Sequence, residues 1–71
     1  MNDHGSDDEK AMQARMVVLR QEHQDLDASI YAIQQQPMPD QLLLMRLKRK
    51  KLAVRDQIVR LEDQLTPDII A

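Results

Sequence analysis

Residues 33–44 read IQQQPMPDQLLL. Pro37 and Pro39 stand two apart in this stretch, and they decide the fold. Each lacks the N–H that a helix ladder needs, and each drives the residue before it toward extended backbone. A helix arriving from upstream must therefore stop before Pro37. A new one can start once Pro39 is passed, where Asp40 offers a carboxylate to the free N–H groups of a first turn.

Both sides of this break carry helical periodicity. Upstream, Met12, Met16, Leu19, His23, Leu26, Ile30 and Ile33 recur at alternating spacings of four and three. Downstream, Leu44, Leu47, Lys51, Val54, Ile58, Leu61 and Leu65 recur at three and four. Such alternation puts each set on one stripe of a helix, as in a coiled-coil seam. Ser6-Asp7-Asp8-Glu9 has the form of a capping box at the start of the first helix, and Thr66-Pro67 ends the second. The reading is an acidic, disordered tail over 1–6, a helical hairpin over 7–66 and an apolar tail over 67–71. Within the hairpin, helices span 7–35 and 41–66 about a turn at 36–40.

Two helices of similar length joined by a short turn pack antiparallel. Folding about residues 38 and 39 layers Ile33 on Leu44, Ile30 on Leu47, Leu26 on Lys51, His23 on Val54, Leu19 on Ile58, Met16 on Leu61 and Met12 on Leu65. All layers but two are apolar on both sides. The flanks bring Asp27 toward Lys48 or Arg55, Glu22 toward Lys50, and Arg20 toward Glu62. The fold class is all-α, an antiparallel two-helix hairpin of coiled-coil type.

Composition supports that class. The 71 residues contain one glycine, one aromatic residue (Tyr31) and no cysteine. The core must be aliphatic, and neither a disulfide nor a thiolate metal site can brace it. A single seam in so short a chain is a thin core. The second helix has a further apolar stripe in Leu42, Met45, Leu52 and Val59, with Leu43 beside it, and Val17 and Val18 are a weaker counterpart on the first. Burying that stripe predicts self-association, with a dimer forming a four-helix bundle favoured.

The polar residues in the seam have structural readings. His23, four residues before Asp27, lacks the further ligands that a metal site requires. Lys51 can lay its methylenes along the seam and set its ammonium beside Asp27 or Glu22. Together they make a polar step that is expected to fix register. The run Lys48-Arg49-Lys50-Lys51 points in four directions on a helix, because successive residues turn by about 100°. Half of it is expected to be committed to pairs within the hairpin. The candidate nucleic-acid contacts are then Arg46, Arg49, Arg55 and Arg60.

LRQEHQDLDASI, the proline turn, PDQLLLMRLKRKKLAVRDQIVRLEDQL and the ending PDIIA together resemble the YdcH-like family of small bacterial proteins. His23, Leu26, Asp27, Ile30, Leu47, Lys48, Lys51, Leu52 and Asp56 carry the resemblance, over roughly residues 15 to 71. It implies a helical hairpin of unknown biochemical function and brings no catalytic residues.

No catalytic, cofactor-binding or metal-ligating set is expected, and no small-molecule substrate. The sequence holds no nucleophile–base constellation and no glycine-rich phosphate loop. It has neither a signal-peptide pattern nor a membrane span. The formal net charge of −2 gives no general pull toward nucleic acid. The expected function is a cytoplasmic, non-enzymatic coiled-coil module that self-associates and binds an unidentified protein as adaptor or regulator. The alternative is a nucleic-acid- or ribosome-associated protein that uses the basic second helix. Ile69 and Ile70 are expected either to dock on the open end of the hairpin or to engage a partner.

Overall fold

A computed structural model of the chain describes the backbone of residues 4–65 and the side chains of residues 8–65. It contains two helices, α1 (His4–Gln34) and α2 (Gln41–Leu65), packed against each other as an all-α hairpin. At about 1.5 Å rise per residue, helices of 31 and 25 residues make rods of roughly 46 and 38 Å. The extents of the molecule, 58 × 26 × 15 Å, are those of a two-helix rod with no further layer.

The hairpin closes on the one seam that the spacing predicts. Met16, Leu19, Leu26, Ile30, Leu44, Val54 and Leu61 are buried. Met12, Leu47, Ile58 and Leu65 are half-buried and pack against the core formed by Met16, Leu19, Leu26, Val54 and Leu61. Ile33, His23 and Lys51, the remaining seam positions, are half-buried as well. Among the described residues no polar or charged side chain is fully buried. Two helices cannot enclose one.

The turn is built by local chemistry. The end of α1 tightens as Gln35 N–H donates to the carbonyls of Tyr31 (3.2 Å) and Ala32 (3.3 Å), and Gln36 N–H donates to that of Ile33 (3.1 Å). The chain then passes Pro37 and Pro39 and stops at Asp40. The Asp40 carbonyl accepts the first helical bond of α2, from Leu44 N–H at 3.0 Å. Its carboxylate accepts from Leu43 N–H, also at 3.0 Å. Asp40 is thus the N-cap of α2, outside the helix and closing it. Pro39 precedes the cap and is half-buried, and Leu44, four residues into the helix, is buried. These are the two positions of a hydrophobic staple, which sets the angle at which the chain enters a helix.

The start of α1 differs from the sequence reading. The helix begins at His4 rather than Asp7, so Ser6 lies within it and cannot be its N-cap, which needs non-helical backbone. The physical reason is that the seam has no large apolar residue between His4 and Met12. Local propensity then places the first turn, with no packing to hold it at Asp7. α1 ends at Gln34, one residue short of the expected bound, and α2 is described to Leu65. Thr66-Pro67 and the tail at 67–71, with Ile69 and Ile70, lie outside the described residues, as do residues 1–3.

Replacing Asp40 with alanine should remove the cap of α2 and leave the Leu43 N–H without a protein acceptor. The expected cost is about 1 kcal/mol, read as a fall of roughly 4–8 °C in Tm by circular dichroism for a domain of this size. An unchanged Tm would mean that the prolines alone fix the turn.

Candidate interaction surface

Three groups of side chains stand out on this scaffold: a polar step in the seam, an apolar stripe outside it and a set of cations.

The polar step is formed by His23, Asp27 and Lys51. The Lys51 ammonium crosses from α2 to donate to Asp27 Oδ1 on α1. His23 Nδ1 lies 3.9 Å from Asp27 Oδ2, too far for a hydrogen bond. The side chains of Lys51 and His23 are only 33 % and 27 % exposed, whereas that of Asp27 is half exposed. Lysine thus lies with its stem in the seam and its charge at the edge, because only the methylenes gain from leaving water. The hydrogen bond from Lys51 holds the Asp27 carboxyl below its ordinary value of 3.8. Loss of water around the carboxylate opposes this, while the charge of Lys51 and the nearby His23 reinforce it. His23 and Asp27 supply only two ligands, and no group of three or more His, Cys, Asp or Glu that would hold a metal occurs among the described residues.

Other polar contacts flank the seam. Arg20 pairs with Glu62 at 2.8 Å, and Arg15 donates to Gln57 at 3.2 Å. Both tie α1 to α2 at the open end of the hairpin. They are exposed, and such pairs contribute about 0–1 kcal/mol each.

The apolar stripe is the feature the hairpin leaves unused. Leu42, Met45, Leu52 and Val59 are 57, 50, 60 and 46 % exposed. Met45, Leu52 and Val59 are seven residues apart, so they form a line along α2 beside the seam. Leu42 sits one turn before Met45 at its end. A shallow groove of about 320 Å³ runs along this line, bounded by Gln41, Leu44, Met45, Lys48, Arg49 and Leu52. On α1, Val17, Val18 and Tyr31 are exposed too, without such regularity.

The cations depart from expectation. Of the run 48–51, only Lys51 is engaged within the hairpin. Among the described residues, Lys48 and Lys50 make no pair with Asp27 or Glu22, and Arg46, Arg49 and Arg55 make no ion pair either. Acids are not what limits them, because Glu22 makes no ion pair among the described residues either. From 21 to 34, α1 offers Glu22, Asp25 and Asp27; Asp25 accepts from Gln21 on its own helix (3.0 Å) and Asp27 is held by Lys51. Arg60 is paired along α2 with Asp56 at 3.1 Å. The four candidate arginines therefore do not gather. Arg46, Arg49 and Arg60 are on the outer side of α2, and Arg55 borders a groove between the helices with Arg20, His23, Gln24, Ile58, Val59 and Glu62.

Residues 17–62 match the model of the family described as a protein of unknown function, DUF465. The chain belongs to that family. It is the YdcH-like family that His23, Asp27, Lys51 and their neighbours resemble, and the match contains all of the residues that carry the resemblance. The PDIIA ending lies beyond the matched span. No curated protein and no solved structure matches the chain. Among the described residues of this DUF465 chain, no helix is long and apolar enough to cross a membrane.

Two outcomes follow for the polar step. Asp27 has a lowered pKa in the folded state, so its pair with Lys51 stabilises the fold above about pH 3.8 and ceases to do so as the pH falls through the lowered value. Thermal melts of the natural chain and of Asp27→Asn should differ at pH 6 and converge at the acid end; a pH-independent difference would refute the coupling. Replacing His23 and Lys51 together with leucine should raise Tm and broaden the distribution of oligomers in sedimentation velocity, because the seam gains apolar contact and loses its register mark. A double variant that melts lower and stays one species would show that the step does not set register.

Proposed function

We propose that this DUF465 chain is a non-enzymatic interaction module, a helical hairpin that self-associates and binds another protein as an adaptor or regulator. The observation that carries this reading is the line of Met45, Leu52 and Val59, with Leu42 at its end, half or more exposed along one side of α2. A hairpin with one seam has no internal use for a second regular apolar line. Leaving it in water forgoes the gain from burial, about 25 cal/mol for each Å² covered. The grooves on the rod are shallow and bounded mostly by exposed side chains, so a macromolecular surface fits them better than an enclosed small molecule. The absence of cysteine suits a reducing compartment, and the reading places the module in the cytoplasm.

A second reading has its own support. Residues 41–55 of α2 carry Arg46, Lys48, Arg49, Lys50, Lys51 and Arg55 and no acid, and all of these but Lys51 lack an ion pair among the described residues. Unpaired cations are what a phosphate backbone binds. They surround α2 instead of gathering on one side, and aromatic residues for base stacking are lacking apart from Tyr31. Nucleic-acid or ribosome association therefore ranks below protein binding.

Sedimentation equilibrium across the micromolar range tests self-association. The natural chain should sediment as a dimer. Leu52→Glu should sediment as a monomer with unchanged helicity, since Leu52 is not part of the seam. A natural chain that is monomeric throughout would overturn self-association. Anisotropy titration of a labelled single-stranded oligonucleotide separates the two readings. Affinity that falls steeply with salt, and is lost when Arg46, Arg49 and Arg55 are changed to glutamine, would favour nucleic acid.

A further inference from the structure

The self-association just proposed leaves open which surfaces meet and in which direction, and the inference here rests on that reading. We infer that two copies pair through α2 alone, antiparallel and centred on Leu52. Leu52 then meets Leu52, and Met45 of each copy meets Val59 of the other.

Three observations on α2 support this arrangement. The first is the position of the stripe. Met45, Leu52 and Val59 lie on one helix, and the inter-helix surface beside them is occupied by charge: Arg20–Glu62 and Lys51–Asp27 span it. A four-helix bundle formed by laying two hairpins face to face on that side would bury those pairs, and removing paired charges from water costs as much as it returns or more. A contact confined to α2 covers the stripe and leaves them at the rim.

The second is charge. The half of the stripe near the turn is flanked by Lys48 and Arg49, and the half near the open end by Arg55, Asp56, Glu62 and Asp63, with Arg60 already paired to Asp56. A parallel pair sets Lys48 beside Arg49 of the second copy and Glu62 beside Asp63, like on like, with only Arg55 and Asp56 opposed. An antiparallel pair sets the turn half of each copy, with Arg49, on the open-end half of the other, with Asp56. Centred on Leu52, it sets Arg49 beside Asp56 of the second copy, and does so twice. Asp56 already pairs with Arg60, and a carboxylate has room for both cations. Lys48 and Arg55 of the second copy face each other on the opposite flank, where both long side chains can turn to solvent. The helix dipoles also oppose each other when the α2 helices run antiparallel.

The third is shape. The groove bounded by Met45, Lys48, Arg49 and Leu52 lies where this pairing delivers Val59 of the second copy. Each copy thus offers one groove and one small apolar knob, in a self-complementary contact of two-fold type.

The chain contains no cysteine, so single cysteines are clean reporters. Met45→Cys, Leu52→Cys and Val59→Cys would each be treated with a short thiol-reactive bifunctional crosslinker. The replaced residues are exposed, and circular dichroism checks that each variant is folded. The expected result is a covalent dimer for Leu52→Cys alone, and for Met45→Cys and Val59→Cys only when the two are mixed. Covalent dimers of all three by themselves would mean a parallel pair and overturn the inference. A chain that sediments as a dimer and crosslinks at none of the three would place the contact elsewhere, overturning the inference while leaving self-association standing. A monomeric natural chain would overturn both. Arg49→Glu gives an independent sign. Against Asp56 of the second copy, at two symmetric contacts, it should weaken the dimer at least about tenfold, or 1.4 kcal/mol. In a parallel pair it would relieve Lys48 and tighten the dimer instead, which would again overturn the inference.

Discussion

The structure depends on one constraint: two helices have only one surface in common. Every side chain taken fully from water has to lie on that seam, and the seven that are buried do. The consequence reaches the polar residues. Where the seam passes His23 and Lys51, the hairpin has no depth to bury a charge, so lysine runs its stem through the contact and its ammonium meets Asp27 at the edge. A third helix over that edge would turn an exposed pair into a buried one, with the desolvation that this entails. The same constraint makes the turn important. A short connection with Asp40 as cap sets where α2 begins, and hence which residue of α2 faces each residue of α1.

The seam was legible in the sequence because burial on a helix leaves a period. Six apolar residues and one polar one on each side of a proline break admit few other arrangements, and all fourteen positions are at least half-buried. Asp40 was legible for a related reason. Prolines exclude the positions before it, and an aspartate directly ahead of an apolar run has a defined use. The start of α1 was not legible, because Ser6-Asp7-Asp8-Glu9 is a local signal with no packing near it to hold the boundary there. A capping motif states where a helix can begin, and tertiary contact or its absence decides whether it does.

The charges around the stripe show a different limit. Helical projection correctly sent Arg20 to Glu62 and named Asp27 as one of two partners for Lys51, the other being Glu22. It overcounted the internal pairs of Lys48 and Lys50, because projection gives direction and not contact. On the facing part of α1, Asp25 is turned to its own helix and Glu22 makes no ion pair, although both lie within the stretch that faces the cations. The oligomer or partner stripe was legible as a period of seven on α2, but the occupant of that stripe leaves no mark in the period. Helical projection sent Arg46, Arg49 and Arg60 to the outer side of α2; what it did not give is that Arg60 is taken by Asp56 and that Arg55 borders a groove between the helices.

Stripe and cations are therefore not independent surfaces. Lys48, Arg49 and Arg55 border the apolar line that Met45, Leu52 and Val59 form, so anything that covers the line also meets those charges. A second copy answers them in part with Asp56, and another protein would need acidic residues beside an apolar ridge. Nucleic acid can answer the charges but has little to offer Leu52. The apolar centre with a basic border thus ranks the occupants: a helix with an acidic flank above a polyanion. Two occupants of the same line also exclude each other. In the proposed dimer, a protein partner seated on Leu52 would first have to separate the two hairpins, so the strength of self-association would set the threshold for a partner using this face.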